Sequence, residues 1–360
     1  MKRNRNVDIL RDGAILVIVL YHAYVLCGTP WTAHTRLHTI LSFCGEFGVT
    51  LFFLLSGFGI YMSLDRKRET TGLPSWKAFM KSRAKRILPQ YYFCIMILLI
   101  FQSAHLLSAD GWKHIAAYGF FVQNLFVDTH GSINGALWTM ATIVQYYLVA
   151  KWLYLGVHKK PLLSCAAAVV ISVVSKYVMY TMFIPAFQME GSAYFVYGRQ
   201  LPCALDNFVF GMAAAAFVKS DWLAKRSKGC LYAAGCVLTA GSAAGLVASA
   251  FELAQKGIYG NSMSGLFGHT ILAALFLALI VGISMLPQIQ GIPAKVVQFL
   301  AKYQYGIYLW HMPMIISLYQ SSPFFQYLAQ QNFSLFATGL IIVIIGVGYI
   351  TSKAVDAAFG

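Results

Sequence analysis

Long apolar segments recur along nearly the whole chain and constrain its fold more than any other feature. The chain is 59% hydrophobic and only 11% charged, which is typical of polytopic membrane proteins and not of soluble domains. We therefore predict an all-α polytopic membrane protein with about ten transmembrane helices, several of them shorter than the ~20 apolar residues of a straight crossing. The predicted spans are 12–28, 40–63, 86–106, 137–156, 161–182, 203–219, 229–251, 267–286, 304–320 and 334–353, with interfacial or re-entrant segments at 112–126 and 293–302.

The basic residues test this topology. A net charge of +15 would suggest a nucleic-acid partner in a soluble protein, but cytoplasmic loops of membrane proteins collect Lys and Arg. With the N-terminus inside, most of the 27 basic residues lie in inner segments, and only Arg36, Lys113, Arg199 and Lys256 lie outside. The asymmetry predicts cytoplasmic N- and C-termini and no nucleic-acid partner. We expect a single transmembrane domain over 1–360, without an appended soluble domain.

The first span begins with Arg11 and contains His22. Eleven helical steps rise about 16 Å, roughly half of a hydrocarbon core about 30 Å thick. If Arg11 lies at the inner face, His22 lies near the membrane midplane. An ionisable side chain there is costly and indicates a functional site. The alternative is a neutral imidazole that only forms a hydrogen bond with a neighbouring helix.

A second basic group follows the second span, where residues 64–87 are predicted to form the largest cytoplasmic loop. Arg83 and Arg86 are three residues apart, so on a helix they share a face, and paired guanidiniums suit bidentate binding of phosphates. The alternative is a topology anchor that contacts anionic lipid headgroups. Since Arg11 is expected on the same side, these arginines could bind a polyphosphorylated cytoplasmic ligand at the mouth of a path to His22.

Other polar or small residues in the spans have two interpretations each. Ser56 and Gly57 allow close helix packing or a thin tunnel wall. Gln145 is a helix–helix contact or a substrate contact. Arg199 and Asp206, seven residues apart, are predicted on one helix face at the outer side, where they pair with each other or bind a polar acceptor.

Two further segments carry aromatic and polar side chains. Trp138 opens the fourth span from the outside, a position typical of an interfacial aromatic residue. Near the end of the chain, the Tyr303–Pro313 segment contains a second histidine, His311, in an apolar helix that its proline could kink.

Four ordered blocks of this sequence resemble the membrane acyltransferase-3 family, whose members acylate surface sugars, often as bacterial O-acetylases. The resemblance extends from about residue 6 to about residue 350. The blocks are DILR…LYH with Asp8, Arg11 and His22, then GVTLFFLLSGF, RAKRILPQYY with Arg83 and Arg86, and YGIYLWHMPM with Tyr308, Trp310 and His311.

The chain departs from this family in the fourth span. Many members have two acidic residues where this sequence has Ile143 and Val144, whereas Trp138, Gln145 and Tyr147 match the family pattern. A mechanism that depends on the family's glutamate is therefore not expected here, unless another group has taken its role.

The resemblance implies a multi-pass acyltransferase of the cell (plasma) membrane that is O-acetyltransferase-like. Such an enzyme moves an acyl group, in the first place acetyl, from cytoplasmic acyl-CoA to a hydroxyl of a cell-surface or lipid-linked saccharide of the cell envelope. Acetyl-CoA is then a cosubstrate, and no permanently bound cofactor or metal is expected. Membrane lipids are the other expected partners, and a homo-oligomer is left open.

The resemblance also implies roles for individual residues. His22 would act as general base or carry the acyl group, and Asp8 would orient Arg11. The donor-binding residues would be Arg11, Arg83, Lys85 and Arg86. The acceptor or tunnel residues would be Ser56, Trp138, Gln145, Arg199, Asp206, Tyr308, Trp310 and His311.

Two other functions remain compatible with the sequence. A membrane transporter or flippase of a glycan or lipid precursor would also use intramembrane His and Arg residues. A different class of membrane O-acyltransferase would have His311 at its centre in place of His22.

Overall fold

The computed structural model describes residues 4–27, 35–101 and 111–359, and all regular secondary structure in these ranges is helical. The all-α prediction is confirmed, and a helix lies at each of the ten predicted spans. The helices are α1 (Arg5–Cys27), α2 (Arg36–Thr70), α3 (Trp76–Phe101), α4 (Gly111–Gly119), α5 (Trp138–Lys159), α6 (Pro161–Ala186), α7 (Ser192–Tyr197), α8 (Leu205–Val218), α9 (Lys228–Lys256), α10 (Met263–Met285), α11 (Gly291–Ser321), α12 (Pro323–Gln331) and α13 (Phe333–Phe359).

Eight helical segments in the described ranges are long and apolar enough to cross a membrane. Helices α5 and α11, with 22 and 31 residues, lie at the other two predicted spans. The protein is therefore a multi-pass membrane protein. The parts of the first and third predicted spans beyond residues 27 and 101 lie outside the described residues.

Several helices extend beyond the predicted spans. The predicted loop 64–87 is mostly helix, because α2 continues to Thr70 and α3 begins at Trp76. Hydropathy falls where the charges begin, but Lys, Arg and Glu are good helix formers, so the helices extend beyond the apolar run. Segment 293–302 is likewise part of the continuous helix α11. Segment 112–126 contains α4 and a short 3-10 turn at Gln123–Leu125.

Helices α1 and α2 lie at the centre of the packing. Helix α1 packs against α2 and α11, α2 packs against α8, and the outer pairs are α9 with α10 and α11 with α13. Two apolar cores result, one around α2, α5, α8 and α10 and one around α1, α3, α11 and α13. Since α1 contributes to both, its polar residues lie between the two cores.

The contact between α2 and α8 depends on two glycines. A Cβ on Gly57 would collide with the carbonyl oxygen of Phe208, and a Cβ on Gly211 would collide with the backbone of Leu54. Each glycine therefore allows the other helix's backbone to approach directly, as small residues do in membrane helix pairs. The close packing expected at Gly57 is present.

We expect Gly211→Ala to separate α2 from α8 and to lower the free energy of unfolding by about 1–3 kcal/mol, because the new methyl group meets main-chain atoms that cannot rotate away. Thermal unfolding of the purified protein in detergent measures the effect. The matched control is Gly339→Ala in α13, where an added Cβ has no neighbour within 4 Å. Equal stability of the two variants would contradict the proposed contact.

Candidate active site

A large cavity lies at the inner ends of the central helices. Its volume is about 1540 Å³, more than the roughly 300–1,000 Å³ of most small-molecule sites. Its walls come from α1, α2, α3, α5 and α11 and from the connection between α10 and α11. The cavity therefore has room for a long ligand that enters from the side where the N-terminus lies.

The cavity is lined by positive charge. Within the described ranges, none of its lining residues is Asp or Glu, and four glutamines provide further polar groups. Guanidinium and ammonium groups in one concave surface raise the local concentration of anions and suit phosphate oxygens. The seven basic lining residues are Arg5, Arg11, Arg66, Lys67, Arg83, Arg86 and Lys302.

Arg11 is oriented by its own helix. Its Nη1 donates to Oδ1 of the buried Asp8 at 2.8 Å, one turn earlier in α1. Opposite, a Cβ on Gly59 would lie 3.2 Å from Nη2 of Arg11, so the absence of a side chain at Gly59 leaves space for the guanidinium. Asp8 lies about 21 Å from His22 along the helix, so its place is beside Arg11 and away from any chemistry at His22.

Arg83 and Arg86 both line the cavity, whereas Lys85 does not. Arg83 donates to Ser63 Oγ at 3.4 Å and lies over the Phe79 ring, with 5.5 Å from Cζ to the ring centroid. Lys85 lies between the two arginines in sequence and lines a shallow groove on the surface, which Arg86 also borders.

The deep end of the cavity is more apolar. Phe52, Met140 and Tyr308 line it, together with Ser56, whose hydroxyl donates to the carbonyl of Phe52 at 2.8 Å. The Tyr308 ring stacks on Phe52 with 5.3 Å between the ring centroids. Its hydroxyl also donates to the carbonyl of Ala136 at 2.5 Å.

The two histidines that the sequence left as alternatives form a pair. His311 Nε2 lies 3.0 Å from His22 Nδ1, and His311 Nδ1 lies 2.5 Å from the carbonyl oxygen of Tyr308. His311 is fully buried, and His22 is partly exposed. The pair connects α11 to α1 next to Tyr308, whose ring centroid lies 5.2 Å from that of His311. Neither histidine lines the cavity, in which the α1 residue nearest to His22 in sequence is Ile15.

These contacts determine where the protons lie on two neutral rings. A carbonyl oxygen only accepts, so His311 Nδ1 carries the hydrogen and its Nε2 is the acceptor. His22 Nδ1 must then donate to His311. His22 also forms a hydrogen bond with the main chain of Ile18. When Nδ1 supplies the hydrogen for this bond as well, Nε2 keeps its lone pair and is the basic atom of the pair.

A second polar cluster lies beside the pair. Arg199 forms an ion pair with Glu46 and donates to the Tyr259 hydroxyl. The predicted pairing of Arg199 with Asp206 is wrong, because a 3-10 turn at Pro202–Ala204 separates Arg199 from α8. The two residues consequently do not share a helix face.

The remaining predicted residues have their polar groups in contacts with other helices. Asp206 accepts from the Thr270 hydroxyl and from the main chain of Asn207. Gln145 donates to Asn124 Oδ1 at 2.9 Å. Trp138 lies under Arg199, with 4.7 Å from Cζ to the ring centroid, and Trp310 packs edge-on against Phe93.

Sequence reasoning missed Glu46, Gly59, Tyr259 and His269. Glu46 carried a usable signal, since an acidic residue in an apolar span is costly and functional by default. Gly59 and Tyr259 carried none, because their importance comes from what lies opposite them in other helices.

The chain matches known proteins at the level of a family. Residues 4–353 match the acyltransferase-3 family model, which is described as an acyltransferase domain. The chain belongs to the acyltransferase-3 family. No match was found among curated proteins or among solved structures. This acyltransferase-3 protein is thus a membrane acyltransferase, which favours the enzyme over the transporter alternative.

We expect nitrogen-15 spectra of selectively labelled histidines at neutral pH to report protonated Nδ1 and bare Nε2 on both His22 and His311. His311→Phe removes the acceptor of the His22 N–H and should let His22 populate its other tautomer. The spectrum of His269→Phe, which leaves the pair intact, serves as the control. A His22 ring protonated at Nε2 in the unmodified protein would contradict the assignment.

Proposed function

We propose that this protein transfers an acetyl group from cytoplasmic acetyl-CoA to a hydroxyl of a cell-surface or lipid-linked sugar. One observation carries the proposal: the basic cavity ends at Tyr308, whose ring lies 5.2 Å from that of His311, the partner of His22, measured between centroids. A phosphate-rich ligand with a long uncharged arm and a reactive end matches both ends of this cavity.

The donor matches the distribution of charge along the cavity. Coenzyme A carries a diphosphate and a third phosphate on its ribose, and these anionic groups would bind among Arg11, Arg83 and Arg86 at the inner end. Its uncharged pantetheine arm would then run along α1 over the roughly 16 Å from Arg11 to His22. The thioester would arrive at the apolar end of the cavity, at Phe52 and Tyr308, and a short acyl group such as acetyl would extend from there toward the histidine pair.

The tautomer of the histidine pair suits a general base. His22 Nε2 would accept the proton of the acceptor hydroxyl while that oxygen attacks the thioester carbonyl carbon. The new C–O bond forms, the C–S bond breaks, and the proton passes from His22 to the departing thiolate sulfur. Such proton transfer contributes about 10²–10⁴-fold in rate. His311 would not touch the substrate, and its role would be to hold His22 in the reactive tautomer.

We expect Arg11→Gln and Arg86→Gln each to weaken acetyl-CoA binding by ~10- to 100-fold, because each removes charge-assisted hydrogen bonds worth about 1.5–3 kcal/mol. Titration of labelled acetyl-CoA into the purified protein in nanodiscs measures the dissociation constant. The difference in affinity between the unmodified protein and each variant should shrink as salt rises. The reason is that salt screens, in the unmodified protein, the charge contact that the variant lacks.

Lys77→Gln is the matched control for this experiment. Lys77 lies on the same helix as Arg86 and is exposed, but it does not line the cavity. If all three variants lose affinity equally, the cavity is not the donor site. If the unmodified protein binds no acyl-CoA, the basic cavity has another ligand and the proposal fails.

We expect His22→Ala to bind acetyl-CoA normally and to lose transfer by ~10²- to 10⁴-fold. His311→Phe should lower kcat by about 10- to 100-fold, as losses of orienting hydrogen bonds do, with little change in the KM of the donor. His311→Gln restores an acceptor for the His22 N–H and should recover part of the rate. Equal kcat values for the two His311 variants would contradict the positioning role.

A further inference from the structure

Five side chains form a cluster next to His22 that does not line the donor cavity. We call Tyr21, Glu46, Phe195, Arg199 and Tyr259 the outer cluster. The Tyr21 ring lies 5.0 Å from the His22 ring, measured between centroids, and it packs against Gly45, the neighbour of Glu46, where an added Cβ would lie 2.7 Å from the ring. The cluster thus connects directly to the histidine pair.

The position of the outer cluster is opposite to that of the cavity mouth. Phe195 belongs to the short helix α7, and Tyr259 belongs to the connection between α9 and α10. With a cytoplasmic N-terminus, both of these connections lie on the outer side of the membrane. The donor cavity, in contrast, is lined by residues from the inner ends of α1, α2 and α3.

The outer cluster can be reached from outside the protein interior. Tyr21, Glu46, Phe195 and Tyr259 are all partly exposed, as is His22. The side chain of Glu46 keeps 15% of its surface exposed and that of Arg199 keeps 10%, even though they form an ion pair. A purely structural ion pair in a membrane is expected to be enclosed, because exposure to lipid leaves its charges poorly solvated.

The chemistry of the cluster combines charge with aromatic faces. Arg199 Cζ lies 3.6 Å from the Phe195 ring centroid and 5.2 Å from that of Tyr259. Glu46 accepts from the Tyr259 hydroxyl at 2.9 Å and lies 3.1 Å from His269 Nε2. A carboxylate and a guanidinium bind neighbouring hydroxyls, and a ring face packs against the C–H groups of a sugar.

Polar atoms without partners border the same cluster. His130 Nε2 and His269 Nδ1 are buried and have no hydrogen-bond partner among the described residues. His130 stacks on Trp138 and contacts Phe195. Burial and the nearby Arg199 charge lower the pKa of His130 to about 3, so this loop residue is neutral. A buried polar group without a partner costs about 1–3 kcal/mol, and a small shift of these side chains that exposes them to the hydroxyls of a bound ligand would offset this cost.

We propose that the outer cluster is the acceptor subsite, where a sugar arriving from the outer side packs on Phe195 and is held by Glu46 and Arg199 with one hydroxyl facing His22. The inference rests on the proposed function, since it assigns a place to the acceptor of that reaction. It predicts that the two substrates reach His22 from opposite sides of the membrane.

The test places a thiol in the subsite. Phe195→Cys is produced in the cells from which the protein comes, and intact cells are treated with a charged, membrane-impermeant methanethiosulfonate. The reagent should react from outside and block incorporation of labelled acetyl groups into the envelope saccharide fraction by at least ~10-fold. Acetyl-CoA binding to the same modified protein, measured after purification, should not change.

Phe187→Cys is the matched control, because Phe187 is an exposed aromatic residue at the outer end of α6 and outside the cluster. Its modification should leave incorporation unchanged. The inference is overturned if modified Phe195→Cys still transfers at the normal rate, if its thiol reacts only from the inner side, or if acetyl-CoA binding falls in parallel with transfer.

A second variant covers the case in which Phe195→Cys fails to fold. Glu46→Gln keeps the shape of the side chain and should reduce saccharide acetylation while acetyl-CoA binding persists. Normal acetylation by a folded Glu46→Gln protein would overturn the inference. If the unmodified protein binds acetyl-CoA but labels no saccharide, the proposed function itself is wrong, an outcome distinct from failure of the subsite alone.

Discussion

The hydrogen bond between His311 and His22 is the interaction on which the arrangement of the site depends. It joins α11 to α1, and its direction is set by the main-chain carbonyl of Tyr308. The side chain of Tyr308 also lines the end of the basic cavity. On the proposed function, Tyr308 therefore has two roles. Its side chain forms the wall that a thioester would meet, and its carbonyl orients His311, which in turn sets the proton position on His22.

The concentration of positive charge in the cavity requires a rigid support. The basic residues between the second and third spans lie on the ends of α2 and α3 and not on a loop, so their spacing is that of helices. Like charges in one concave surface repel each other and destabilise the empty protein. Asp8 compensates Arg11, and a polyphosphate ligand would compensate the others, which couples ligand binding to the packing of these helices.

The sequence allowed prediction of features that depend on local patterns. Apolar length predicted the ten helical segments, which the structure contains, and the asymmetry of Lys and Arg predicts their orientation in the membrane. Contacts between distant helices could not be predicted, because His22 and His311 are 289 residues apart and Glu46 and Arg199 are 153 apart. The error at Arg199 and Asp206 has the same origin, since a helix was assumed to continue through Pro202.

On the proposed function, the two-sided arrangement answers a physical problem of acylation across a membrane. The phosphates of acyl-CoA cannot enter the hydrocarbon core without a large desolvation cost, and a hydrated sugar faces a smaller penalty of the same kind. If the phosphates stay among the arginines at the inner face and the sugar stays at the outer cluster, only the uncharged arm and the acyl group reach the midplane. The depth of His22 in α1 is then a requirement of the reaction, because a base nearer to either face would be out of reach of one of the two substrates.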